Sequence, residues 1–172
     1  MNNIEFFLQC RNNELYNIVN GLKALPEAEK MGYRPASKNR AAKELVDHFL
    51  TNVVDLMEGV ESGVVNHRIT SSCFSTDEAI EIFEKGSRKL MNLLDYTDLG
   101  TRENKKVPMR NFGNEIGVFT LGNLCVMYFF DFTHHRGQLS IHYRPMGATL
   151  PSIYGPFGKM AEEMLAKQAA NN

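Results

Sequence analysis

Cysteine is scarce in this 172-residue chain, and its placement is uninformative for pairing. Cys10, Cys73 and Cys125 are odd in number, far apart and without a C-x-x-C. That excludes a disulfide scaffold and reads as free thiols in a reducing, cytoplasmic setting. Excess charge of either sign is missing too. Nineteen Lys and Arg against twenty Asp and Glu leave a net charge of −1, which gives no electrostatic ground for nucleic-acid binding. The basic stretch Arg102 to Lys106 reads as a solvated loop. Long hydrophobic runs are absent: the longest, Leu124 to Phe130, is too short to span a bilayer, so no membrane partner is expected. The N-terminus has no basic region ahead of an apolar core, so it does not read as a signal peptide. No serine–histidine–acid spacing, phosphate-binding glycine loop or nucleotide motif occurs, and neither does an internal repeat.

What the chain does have is helical periodicity. Ile4, Leu8, Leu15, Ile18, Leu22 and Leu25 form one stripe and predict a first helix from about Asn3 to Leu25, with Arg11 interrupting at the bundle edge. After a loop with Pro26, Gly32 and Pro35, a second helix is expected from about Ser37 to Val60. Its buried face is Ala42, Leu45, Val46, Phe49, Val53 and Leu56. Val64 to Phe74 is polar and irregular. Ser75 and Glu78 make a capping box that opens a third helix to about Tyr96, with Gly86 and Ser87 marking a close approach to a neighbour. Residues Asp98 to Thr120 are the least helical and read as short strands or an ordered loop. Thr120 caps a fourth long helix to about Arg144, in which Gly137 predicts tight packing on another helix. A short amphipathic helix with Phe157, Met160, Ala161, Met164 and Leu165 closes the chain, either capping the bundle or forming a dimer contact. Together these predict one all-α domain over 1–172, a four-helix bundle with an added C-terminal helix.

The fourth helix places Asp131, His134 and His135 inside an apolar run. On a helix, Asp131 and His135 fall within about 40° of each other and one turn apart. A carboxylate and an imidazole so spaced can close on one divalent ion, or can be a satisfied polar pair in a core. Burying Asp131 among Tyr128, Phe129, Phe130 and Phe132 demands a strong partner under either reading.

His134-His135-Arg136-Gly137-Gln138-Leu139, Tyr143-Arg144-Pro145-Met146-Gly147 and Pro151-Ser152-Ile153-Tyr154-Gly155-Pro156 are similar to the C-terminal signature of the DinB/YfiT-like superfamily. That resemblance implies a four-helix bundle, and many of its members bind a metal. A histidine near position 48 supplies the first ligand in such proteins, and Ala-Lys-Glu-Leu-Val-Asp-His, ending at His48, resembles that segment. The implied ligand set is His48, Asp131 and His135. The commoner family pattern has three histidines, and Asp131 stands where the second is expected. A carboxylate leaves a divalent ion with a net charge near +1 and makes it a weaker Lewis acid. Two histidines and a carboxylate suit zinc, nickel, manganese or iron alike.

His134 is the rival ligand. It sits about 100° from His135 and reads as a supporting or structural residue, while Gln138, one turn from His135, is a candidate to orient it. His142 is about 10 Å along the axis from His135, too far to share its ion, and reads as a surface histidine. Arg136 is expected to pair with a neighbouring helix. Tyr143, Arg144 and Tyr154 are expected to lock the helix end to the following loop. The resemblance further implies a small-molecule substrate, such as a low-molecular-weight thiol, and a thiol-dependent transferase or hydrolase. The other reading is a non-catalytic stress-related binding module. A homodimer is expected.

Overall fold

The structure is a computed structural model and describes residues 1–68, 75–95, 98–153, 155 and 159–170. Ser71, Ser72, Cys73, Tyr96, Tyr154 and Phe157 lie outside these residues. Four long helices carry the apolar stripes, and most are opened by a local polar device. Helix α1 (Asn3–Lys23) begins with a reciprocal box: the Glu5 N–H donates to Asn2 Oδ1 and the Asn2 N–H to Glu5 Oε2, both at 2.8 Å. Helix α2 (Ala42–Glu61) has alanine at its cap. Glu44 accepts from the Ala41 N–H at 2.7 Å and also holds Arg34. Ser75 accepts from the Glu78 N–H at 3.1 Å to open α3 (Thr76–Asp95). The last of the four, α5 (Leu121–Ser140), starts where Thr120 accepts from the Asn123 N–H at 3.1 Å.

These helices form a ring in which α1 packs on α3 and α5, and α2 also packs on α3 and α5. The α1–α3 and α2–α5 seams therefore lie on opposite sides. Ile4, Ile18, Leu22, Leu45, Phe49, Leu56, Phe83, Leu94 and Leu124 fill the core. Gly86 is the close approach its sequence context predicts, since a Cβ there would sit 2.7 Å from Val53 Cγ1 on α2. Gly137 is not: a Cβ there would meet nothing within 4 Å, so its cost in helix stability has no packing return.

Two helix ends differ from expectation. α2 starts at Ala42 rather than Ser37, because the Asn39 N–H bonds back to Ala36 O in a turn and Glu44 fixes the first helical residues. α5 stops at Ser140 rather than Arg144. Its bonds tighten to Ile141 N–H→Gln138 O and His142 N–H→Leu139 O, and Gly147 takes φ 80°.

The region between α3 and α5 holds a short helix, α4 (Leu99–Glu103), and the hairpin β2 (Lys106–Asn111) and β3 (Asn114–Thr120). Strand β1 (Val65–His67), in a segment expected to be irregular, pairs parallel with β2, giving the sheet order β1-β2-β3. Its short length hid it: three residues cannot show a period of two. The sheet lies against the end of α2, where a Cβ on Gly59 would be 3.2 Å from Val65 and 3.6 Å from Val107. Glu103 reaches back across the fold and accepts from the Asn3 N–H at 3.3 Å and the Ile4 N–H at 3.1 Å, closing the start of α1. Helix α6 (Lys159–Ala170) does not bury its apolar residues: Met160, Met164 and Leu165 are 54%, 54% and 65% exposed. Among the described residues no helix is long and apolar enough to cross a membrane.

Candidate metal centre

The α2–α5 seam is built from two ladders of polar residues. His48, Asn52 and Asp55 recur at four- and three-residue spacing along α2, and Tyr128, Asp131 and His135 at three- and four-residue spacing along α5. Each set therefore occupies one helix face, and the faces meet. His48 Nε2 lies 3.1 Å from Asp131 Oδ2, and His135 Nε2 lies 3.2 Å from Asp131 Oδ1. The two imidazoles stand almost perpendicular, with ring centroids 4.4 Å apart. One donor atom from each of His48, Asp131 and His135 falls within 4.8 Å of the others, a grouping that can hold a metal ion. The structure thus brings together the three residues that the resemblance nominates.

Asn52 completes the carboxylate's surroundings, its Nδ2 donating to Asp131 Oδ2 at 2.6 Å. Burial alone would push the Asp131 carboxyl up. Hydrogen bonds from His135 and His48, the charge on His135 and the Asn52 amide together hold it well below the usual carboxylate range. His135 Nδ1 lies 2.6 Å from Gln138 Oε1, as the one-turn spacing predicts. An amide oxygen only accepts, so Nδ1 carries a proton, and Nε2, whose own proton is shared with Asp131, is the nitrogen a metal would take in place of that proton. The donor set fits a two-histidine, one-carboxylate site in which an ion replaces the protons now shared between nitrogen and oxygen.

His134 points elsewhere and is exposed, so it does not join the cluster. His142 is not a surface residue. It is 2% exposed, with Nδ1 3.0 Å from Gln138 O and Nε2 3.1 Å from Arg40 O, and it ties the end of α5 to the loop before α2. Arg136 does pair with a neighbouring helix: its guanidinium is 2.9 Å from Glu14 Oε2 on α1, both side chains nearly fully buried. Tyr143 is 2% exposed, and its hydroxyl would lie 2.9 Å from a Cβ on Gly21.

The sequence reading did not find a second cluster one turn below the first. Asp55 Oδ2 accepts from the Tyr128 hydroxyl at 2.9 Å and lies 2.6 Å from His67 Nδ1, while the His67 ring packs edge-on to His48 at 5.6 Å. Burial raises the Asp55 carboxyl above its ordinary range, against the lowering effect of the His67 and Tyr128 hydrogen bonds. The i, i+4, i+7 spacing of His48, Asn52 and Asp55 was a usable signal. His67 had none, because it lies in a three-residue strand whose sheet partner, β2, is more than forty residues further along the chain. A cavity of about 390 Å³ opens beside His135 and Gln138, with Lys38, Arg40, Leu45 and His142 also in its wall.

No protein-family model matches this chain, and no curated protein does. Solved structures do. A DinB-like protein from Bacillus cereus superposes with a TM-score of 0.70 at 17% identity, covering 87% of this chain and 97% of that one. A DinB-like protein from Bacillus subtilis does so with a TM-score of 0.60 at 19% identity, covering 88% and 96%. At such low identity it is the architecture that is shared, and this chain has the fold of a DinB-like helical bundle with an added C-terminal helix.

Proposed function

We propose that the chain is a metal-dependent enzyme in which His48, Asp131 and His135 hold one divalent ion and a small molecule enters from the cavity beside His135. The observation that carries this reading is the convergence of three donor atoms from α2 and α5 within 4.8 Å. Three protein ligands leave a position open, as in catalytic rather than structural sites. Once bound, the ion would lower the proton affinity of a thiol or water held beside it. The rest falls to the chain. Gln138 fixes the His135 ring, Asn52 fixes the Asp131 carboxylate, and Lys38 and Arg40 give the cavity a positive rim suited to an anionic part of a substrate. A transferase using a low-molecular-weight thiol, or a hydrolase, fits this arrangement.

One observation favours a second reading, a bundle without turnover. The three Asp131 contacts already satisfy its carboxylate without an ion. Metal titration with melting curves separates the two, using protein made without an affinity tag. Wild type should bind one equivalent, and His48→Ala, Asp131→Ala or His135→Ala should each lose at least about tenfold in affinity, the scale of even indirect changes at such sites. Background metal in wild type, with His135→Ala losing only thermal stability, would leave the second reading. A screen of thiol conjugation to electrophiles then tests turnover.

A further inference from the structure

Across the bundle from the metal centre, a groove of about 420 Å³ runs between α1 and α3, a volume typical of small-molecule sites. The helices are antiparallel there: Lys23 of α1 shares a cavity wall with Ile80 of α3, and Phe7 and Arg11 share one with Leu90 and Met91. The α1 wall runs from Arg11 to Lys23, about 18 Å at the rise of a helix. Leu15, Val19 and Met91 lie half-buried along the groove, and the buried Phe83 joins them.

Two polar side chains mark the Met91 end. Ser87 is 5% exposed, and its hydroxyl has no hydrogen-bond partner, a costly state for a buried polar group. Arg88 follows it, is exposed, and makes no ion pair among the described residues. Glu84, the one acid in the described wall, lies a turn further from Met91. Met91 is one turn from Ser87 and lines both the groove and the small gap behind it. Its unbranched side chain turns readily, and that rotation opens the hydroxyl to the groove.

We propose that this groove binds a linear aliphatic monocarboxylate, with its head at Ser87 and Arg88 and its tail toward Lys23. One carboxylate oxygen accepts from the Ser87 hydroxyl, and the Arg88 guanidinium donates to the same head group. The buried donor thus gains its acceptor and the cation its counter-charge. The tail covers Leu15 and Val19 and takes their exposed apolar surface out of water. A trough of this length fits an extended chain better than a compact ring. Arg88, with Glu84 one turn away, matches a single negative charge rather than the nearly two of a phosphate monoester. The site is separate from the metal centre and needs no ion.

The test is titration calorimetry of the full chain with decanoate, with circular dichroism as the folding control. Wild type should bind one equivalent with a dissociation constant below about 1 mM, with or without added metal. Decanol has the same tail without the charge and should bind at least about tenfold more weakly. Hexanoate should also lose at least about tenfold, since four methylenes leave the floor. Arg88→Glu should raise the decanoate constant at least about tenfold and leave the fold intact, because Arg88 is exposed. Ser87→Ala should raise it about threefold to tenfold, yet melt no lower than wild type, because it removes a buried hydroxyl that has no partner. A purely structural serine would leave the decanoate constant unmoved. Absence of binding up to about 5 mM would overturn the proposal. So would equal affinity for decanoate and decanol, or indifference to either substitution.

Discussion

The α2–α5 seam and the α1–α3 seam come from the same bundle and similar amphipathic helices, yet one gathers polar side chains around carboxylates and the other does not. Between α2 and α5 the polar side chains converge on two carboxylates, Asn52 and two histidines on Asp131, Tyr128 and His67 on Asp55, although the Asn52 Oδ1 finds no partner. Between α1 and α3 the helices part into a groove, and Ser87 is left with an unanswered hydroxyl. The contrast follows from what each helix brings. A carboxylate accepts several bonds at once, so one aspartate can organise three neighbours. A serine among Leu15, Phe83 and Met91 organises nothing. A seam with convergent donors can hold an ion; a seam with apolar walls offers no such set.

The largest effect should come from the buried pair joining these regions. Arg136→Leu removes the cation beside Glu14, and chemical denaturation should show a loss of about 3–5 kcal/mol, the usual cost of breaking a buried ion pair on one side. Next, Gly86→Ala should cost about 1–3 kcal/mol, because the added methyl meets Val53 at 2.7 Å. The double variant Gly86→Ala, Val53→Ala should recover part of that loss; no recovery would mean α2 and α3 do not meet there.

The pH dependence sharpens the polar side of the contrast. With the Asp55 carboxyl raised in the folded chain, the protonated form is favoured by folding. Its stabilising contribution is fully present below the ordinary aspartate range and is lost as pH rises through the raised value. Asp55→Asn cannot lose a proton, so stability of the variant relative to wild type should climb between about pH 4 and neutrality. A flat difference in paired melting curves would contradict the assignment. A smaller effect is expected in the hairpin. Phe112 and Gly113 have φ 47° and 84°, and Gly113→Ala should cost about 1 kcal/mol while leaving both seams intact. Least visible in stability is thiol chemistry. Burial pushes the Cys125 thiol up to about 12, so a thiol reagent should label half-buried Cys10 in the native chain well before Cys125.

Much of the bundle was legible because helical stripes are local. Ile18 and Leu22 are buried as their spacing implied, and Ser75 and Thr120 cap the helices they precede. Asp131, His135 and Gln138 share one helix, so their mutual geometry could be read from three numbers. His48 came through resemblance, since nothing local distinguishes it from a core-bordering histidine. Asp55 and His67 escaped because a strand partner more than forty residues away decides where His67 lies. Gly137 misled for the reverse reason: a helical glycine signals a neighbour only when one exists.

Glu103 carries a consequence of another kind, in the order of events during folding. Its carboxylate closes the first turn of α1 from a hundred residues away, and Gly122 leaves room for it, since a Cβ there would collide with that carboxylate. Helix α1 therefore caps itself through Asn2 and Glu5 but leaves its Asn3 and Ile4 N–H groups to a residue a hundred positions later. Those two groups are closed only from α4, so a bundle of local helices acquires one non-local closing contact. Replacing Glu103 with glutamine should slow refolding more than it slows the formation of isolated helical signal.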